Sequence, residues 1–242
     1  MVVNSGWKPE EKPMFFFDPM YFVFALPPML LVLWAQAKVK GAYARYSQIR
    51  NMANLTGAQV ARILLRDRGL DAVGVEMVDG DLTDHYDPAS KTLRLSPGVY
   101  STPSVAAMGI VAHEVGHAVQ DQVGYAPLKL RAALVPAVNI GSTMGYLFFL
   151  AGLFINWTGL VWLGIAFFSL GVVFALVTLP VEFNASNRAL ALLKGNGLVS
   201  VEEYEGANAV LSAAALTYVA AVAQALGNLL YFVWIAMGRR DD

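Results

Sequence analysis

AALVPAVNIGSTMGYLFFLAGLFINWTGLVWLGIAFFSLGVVFALVTLPV, residues 132–181, runs from Arg131 to Glu182 without a charged side chain. Its reading decides the fold. A helix crossing a bilayer needs roughly 20 apolar residues, so this stretch is long enough for two. Asn156-Trp157-Thr158-Gly159 joins Ala132–Ile155 to the apolar run ending at Val181. The joint is short and uncharged, which predicts a tight hairpin. A hairpin returns the chain to the side it left. The polar segments flanking it, 38–131 and 182–206, therefore face one compartment, and the second can complete a site begun in the first.

Two further uncharged runs flank this core, Met20–Ala37 and Ala207–Gly238. Each run alone reads equally well as a buried core helix, but four in 242 residues favour membrane. The composition agrees: 57% hydrophobic and 14% charged residues are far from the balance of a soluble domain. Met20–Ala37 follows Asp18 and lacks a small-residue cleavage site, so it reads as a retained anchor rather than a signal peptide. Pro27-Pro28 is expected to bend it. Residues 1–13 read as a short polar arm. The formal net charge of −1 provides no bulk field for nucleic acid, and none is expected as a partner. With no cysteine there are no disulfides, iron–sulfur clusters or thiol chemistry, so any metal site is built from His, Asp and Glu.

Basic residues near the spans set the orientation. Lys38, Lys40, Arg45, Lys129, Arg131, Arg188 and Lys194 lie on the shared side, against Lys8, Lys12, Arg239 and Arg240 on the other. The shared side is expected to be cytoplasmic. Residues 38–131 hold 11 of the 17 Lys and Arg residues and form the main polar segment.

Within that segment Thr56-Gly57-Ala58-Gln59 is a capping box opening a helix that ends near Gly69. Val73–Val78 suits a short strand, and Asp79-Gly80-Asp81 a turn. Lys91–Leu95 alternates as a half-buried strand, read here as an exposed edge to which a peptide can add. Thr102-Pro103 predicts the start of a helix reaching about Gln122 and stopping at Gly124. Ser200-Val201-Glu202-Glu203 is a second capping box, opening the last long helix.

The third helix of this plan carries His113-Glu114-Val115-Gly116-His117, two of the chain's three histidines one turn apart. Positions i and i+4 share a helix face, so both imidazoles can reach one zinc ion, with Glu114 beside them to take a proton from water. A catalytic zinc usually has three protein ligands. Glu182, the first charged residue after the hairpin, is either the third ligand or a marker of the membrane boundary; position alone leaves both open. Asp121, one turn beyond His117, is expected to orient its imidazole from behind, a solvated helix-end acid being the alternative. Gly116 costs roughly 0.8–1.0 kcal/mol of helix stability relative to Ala and suggests close packing of another backbone. His85 and Tyr86 are candidates to donate to a developing oxyanion, or are simply turn residues. Asn187 and Arg188 are weaker candidates of the same kind, and Tyr218 either reaches the site or packs in the core.

Five stretches together resemble the YugP-type neutral zinc metallopeptidases of bacterial membranes: Leu55–Ala61, Asp84–Pro88, His113–Ala118, Leu179–Ser186 and Ala213–Ala221. The resemblance covers nearly the whole chain. The layout is also similar to HtpX-type membrane metallopeptidases, which place a membrane hairpin between the two motif halves. It implies a gluzincin-like site with one zinc per chain, His113, His117 and Glu182 as ligands, and Glu114 as general base. Asn184 departs from the pattern, which carries an acid there.

The expected protein is a membrane α+β chain, with about four transmembrane helices and a small zincin-like α+β metallopeptidase domain carrying HExxH on a helix. Its segments are 1–37, arm and first span; 38–131, metallopeptidase domain; 132–180, hairpin; 181–206, helix of the third ligand; and 207–242, last span and tail. The expected activity is zinc-dependent endopeptidase cleavage of peptides or proteins at the bilayer of the bacterial inner (plasma) membrane, in turnover of membrane or misfolded proteins. A zinc-binding scaffold without activity and a site-2-type intramembrane protease are the competing readings. A transporter lacks support, because the spans have almost no ionisable residues.

Overall fold

A computed structural model of the chain describes residues 19–238. The polar arm, with Lys8 and Lys12, and the tail arginines Arg239 and Arg240 lie outside these residues. The elements in order are α1 (Pro19–Tyr46), α2 (Gly57–Asp67), β1 (Gly74–Met77), β2 (His85–Asp87), β3 (Thr92–Leu95), α3 (Pro97–Ser101), α4 (Val105–Gln122), α5 (Ala126–Phe154), α6 (Thr158–Gly195) and α7 (Val201–Gly238).

Four of the helices, α1, α5, α6 and α7, are long and apolar enough to cross a membrane; α4 is not among them. They expose large apolar side chains such as Leu30, Ile140, Leu147 and Leu176, which a water-facing bundle would bury. α1 stays helical through Pro27 and Pro28. α5 and α6 form the hairpin, with the joint at residues 155–157. Its arms touch backbone to backbone: a Cβ added at Gly164 would stand 2.6 Å from the Phe149 nitrogen. Small residues permit such approach between spans. α6 does not stop at the hairpin's end. It runs on through Pro180 and Glu182 to Gly195, so the span and the segment carrying the candidate ligand are one continuous helix.

The polar part is built on α2, α4 and a three-stranded sheet of order β1-β3-β2. β1 pairs with β3 in parallel and β2 pairs with β3 antiparallel. This corrects one expectation. The Lys91–Leu95 segment is the centre of the sheet, and β2, in Asp84–Pro88, is an edge. With β1 paired along one side and β2 along the other, β3 has no free edge to offer. The start of the motif helix also shifts. The N-cap is Ser104, whose Oγ accepts from the Ala107 N–H at 3.1 Å. Thr102 stays extended, as a residue before proline tends to, and an Arg50–Ser104 bridge holds this stretch against the loop after α1. The Thr56 capping box is present, and the positive φ of Gly69 and Gly124 follows α2 and α4.

One apolar core joins these parts. Leu64 of α2, Leu93 and Leu95 of β3, Met108 and Val111 of α4, and Leu193 of α6 are fully buried in it. The Ser200 box locks the start of α7: Glu203 accepts from the N–H of Ser200 at 2.8 Å and of Met52 at 2.6 Å. The ends of α1, α6 and α7 are fixed around α4.

Candidate metal centre

α4 contains the whole His113–His117 pentapeptide, so its two imidazoles project from one face. α6 crosses that face closely. A Cβ on Gly116 would meet the Ala185 carbonyl oxygen at 2.6 Å. Glycine therefore permits the contact that brings α6 within reach, as its presence in the motif suggested.

The result is a compact group. His113 Nε2 and His117 Nε2 are 3.1 Å apart, and Glu182 Oε2 lies 3.2 Å from the first and 3.6 Å from the second. The ligand atoms all lie within 4.8 Å of one another. Glu182 is only 3% exposed, and a buried carboxylate needs a partner. Arg131, at the head of α5, donates from Nη1 to Oε1 at 2.7 Å. Oε2 is thereby left facing the imidazoles.

The groups behind the imidazoles decide whether this set fits a metal. Gln120 is fully buried, and its Nε2 donates to the Val181 carbonyl at 2.8 Å and to Asn184 Oδ1 at 3.0 Å. Arg188 Nε, a pure donor, lies 2.7 Å from the same Asn184 oxygen. These partners fix the assignment of both amides. Gln120 must then present Oε1, a pure acceptor, to His117 Nδ1 at 3.0 Å. A proton of His117 is held on Nδ1, which leaves Nε2 as the nitrogen facing His113 and Glu182. His113 Nδ1 meets the Ser186 hydroxyl at 3.1 Å, a partner able to accept in the same way. Two imidazole nitrogens and one carboxylate oxygen, with no thiolate, are the donor set of a zinc site.

Asp121 does not occupy the place expected of it. It accepts from the Tyr86 hydroxyl at 2.8 Å and pairs with Lys91, while Gln120 contacts His117. Burial works against the Asp121 carboxylate, but Lys91 and Tyr86 outweigh it and hold its pKa below the ordinary value. The i+4 spacing put Asp121 on the right face, yet Nδ1 points to the i+3 neighbour. Tyr86 acts through its backbone: its N–H donates to Glu114 Oε2 at 2.9 Å. β2 thus aims the carboxylate of Glu114, itself buried on α4. His85 is exposed and its Nδ1 contacts the Thr83 carbonyl at 2.8 Å. Arg188 is engaged with Asn184, and Asn187 is exposed beside a hollow between α6 and α7.

His113, Glu114 and Glu182 line a cavity of about 200 Å³. Asp84 and Tyr43 also border it. Burial pushes the Asp84 carboxyl up, although Ser96 bonds it through N–H and hydroxyl. Tyr218 reaches this cavity from α7, where core packing had been the simpler expectation.

Residues 21–237 match the family described as "Putative neutral zinc metallopeptidase". The chain belongs to that family. A Bacillus subtilis (strain 168) protein named "Putative membrane protease YugP" is 46% identical over 224 residues, covering 92% of this chain and all of that relative. No solved structure matches this member of the zinc metallopeptidase family. The groups contacting the candidate ligands that the sequence reading did not single out are Gln120, Arg131 and Ser186. Gln120 had one usable signal, being a polar residue three positions beyond a motif histidine.

Proposed function

We propose that the chain is a zinc-dependent endopeptidase of a bacterial plasma membrane, gluzincin-like in its ligand set, with a zincin-like domain on the cytoplasmic side. The observation that carries this reading is the convergence of His113 Nε2, His117 Nε2 and Glu182 Oε2 beside a buried, strand-aimed Glu114. His113, His117 and Glu182 would hold one zinc ion per chain. When bound, zinc supplies Lewis acidity that makes water a competent nucleophile near neutral pH and polarises a carbonyl. The chain's own residues do the rest. Glu114 accepts a proton from the attacking water and passes it to the leaving amine nitrogen. The Tyr86 N–H keeps that carboxylate turned toward the reacting atoms. Asn184, where an acid was expected, serves as an acceptor for Gln120 and leaves the ligand set unaffected.

The substrates on this reading are peptide segments of membrane or misfolded proteins, presented at the bilayer surface. The site's lining by residues of α1, α6 and α7, three of the candidate spans, supports that placement. The test is cleavage of unfolded and membrane-anchored substrates by the purified protein in lipid nanodiscs. Metal chelation and Glu114→Gln should each abolish it. Cleavage that persists through complete zinc removal would overturn the reading.

A further inference from the structure

The cavity beside the metal centre has a mixed lining. It presents His113, Glu114 and Glu182. Its apolar wall includes Val39 of α1, Ile110 of α4, and Val210, Leu211, Ala214 and Ala215 of α7. Val210, Leu211 and Ala215 are buried, and this wall offers no charged side chain. The other polar groups bordering the cavity are Tyr43, Asp84, Ser186 and Tyr218, the last hydrogen-bonded to Glu182. Leu211 and Tyr218 are seven positions apart on one helix, so the lining extends roughly 10 Å along α7 at 1.5 Å per residue. Val39 and the α7 residues of this wall belong to two of the candidate spans.

An apolar hollow opening on a metal centre and a general base has a definite consequence for a peptide laid across them. A side chain beside the scissile bond must enter the hollow. Water filling an apolar hollow makes few hydrogen bonds, so an apolar side chain displaces it favourably and a charged one loses its hydration. Two alanines, 214 and 215, provide the space; larger residues there would close it.

We propose that this hollow is a specificity subsite that takes an apolar side chain adjacent to the scissile bond, with Ala214 and Ile110 setting its size. The proposal rests on the endopeptidase reading and names the class of residue that the site selects. It makes membrane-proximal apolar segments the preferred substrates.

The experiment uses the full-length protein in nanodiscs, loaded with zinc, and a set of peptides differing at one position: Ala, Leu, Phe, Asp or Lys. Cleavage rates are measured for the unchanged protein, for Ala214→Phe and for Ile110→Ala. Binding of the same peptides to Glu114→Gln protein, alone and combined with each wall change, is measured by fluorescence anisotropy. Leu and Phe peptides should be preferred over Asp and Lys by tenfold or more, in line with roughly 10–200-fold for one methylene in such pockets. Ala214→Phe should move the preference toward Ala, and Ile110→Ala toward Phe, with zinc content unchanged. Equal handling of all five peptides, or wall changes that alter every peptide alike, would overturn the subsite. Absence of cleavage would overturn the endopeptidase reading, while the binding arm would still decide on the subsite.

Discussion

Gln120 Oε1 stands 3.0 Å from Nδ1 of His117, and this contact selects the nitrogen that His117 offers to a metal. The selection originates further back, with Arg188 and the Val181 carbonyl, which orient the Asn184 and Gln120 amides. Removing such a supporting partner costs roughly 10–100-fold in metal affinity in other sites. Gln120→Leu is therefore expected to weaken zinc binding by about that factor, measured by chelator competition. Asn184→Asp retains an acceptor oxygen and should bind zinc far better than Gln120→Leu does. Equal losses in both variants would show that the amide orientation is irrelevant.

Arg131 holds the other end of the ligand set. Its guanidinium bonds Glu182 Oε1 at 2.7 Å across the base of the α5–α6 hairpin. Arg131→Met removes one partner of a buried carboxylate that keeps His113 and His117 beside it, so the loss should fall short of the about 3–5 kcal/mol of breaking a lone buried pair. A lower melting temperature for the metal-free protein is expected, together with weaker zinc binding. Arg131→Lys should recover only part of both, because an ammonium lacks the planar fork. A melting temperature unchanged by Arg131→Met would contradict the assignment.

Gly116→Ala sets two effects against each other. Alanine gains roughly 0.8–1.0 kcal/mol of helix propensity. The new Cβ meets a backbone oxygen at 2.6 Å, and overpacking costs about 1–3 kcal/mol. The clash involves backbone, which yields poorly, so net destabilisation is expected in denaturant unfolding, with weakened zinc binding as α6 is pushed away. A stabilised variant would mean that α4 and α6 do not approach as described.

Much of this fold was legible before any coordinates. The uncharged hairpin, the capping boxes at Thr56 and Ser200, and the HExxH helix are local signals: charge pattern, side-chain caps and i,i+4 spacing. What was not legible depends on tertiary pairing. Whether Lys91–Leu95 is an edge depends on which strands flank it, and Asp84–Pro88 is too short to announce itself as one of them. Gln120 rather than Asp121 faces His117 because α6 lies against that side of α4, a crossing that no periodicity encodes. Arg131 looked like a charge at a membrane boundary, and its link to Glu182 needs the hairpin closed.

The central claim is that His113, His117 and Glu182 together hold one zinc ion. X-ray absorption on the zinc-loaded protein, paired with metal stoichiometry, tests it most directly. The account predicts one zinc per chain with two imidazole nitrogens at roughly 2.0–2.1 Å and a carboxylate oxygen at roughly 2.0–2.2 Å, the oxygen signal disappearing in Glu182→Ala. An unchanged zinc environment in Glu182→Ala would contradict it.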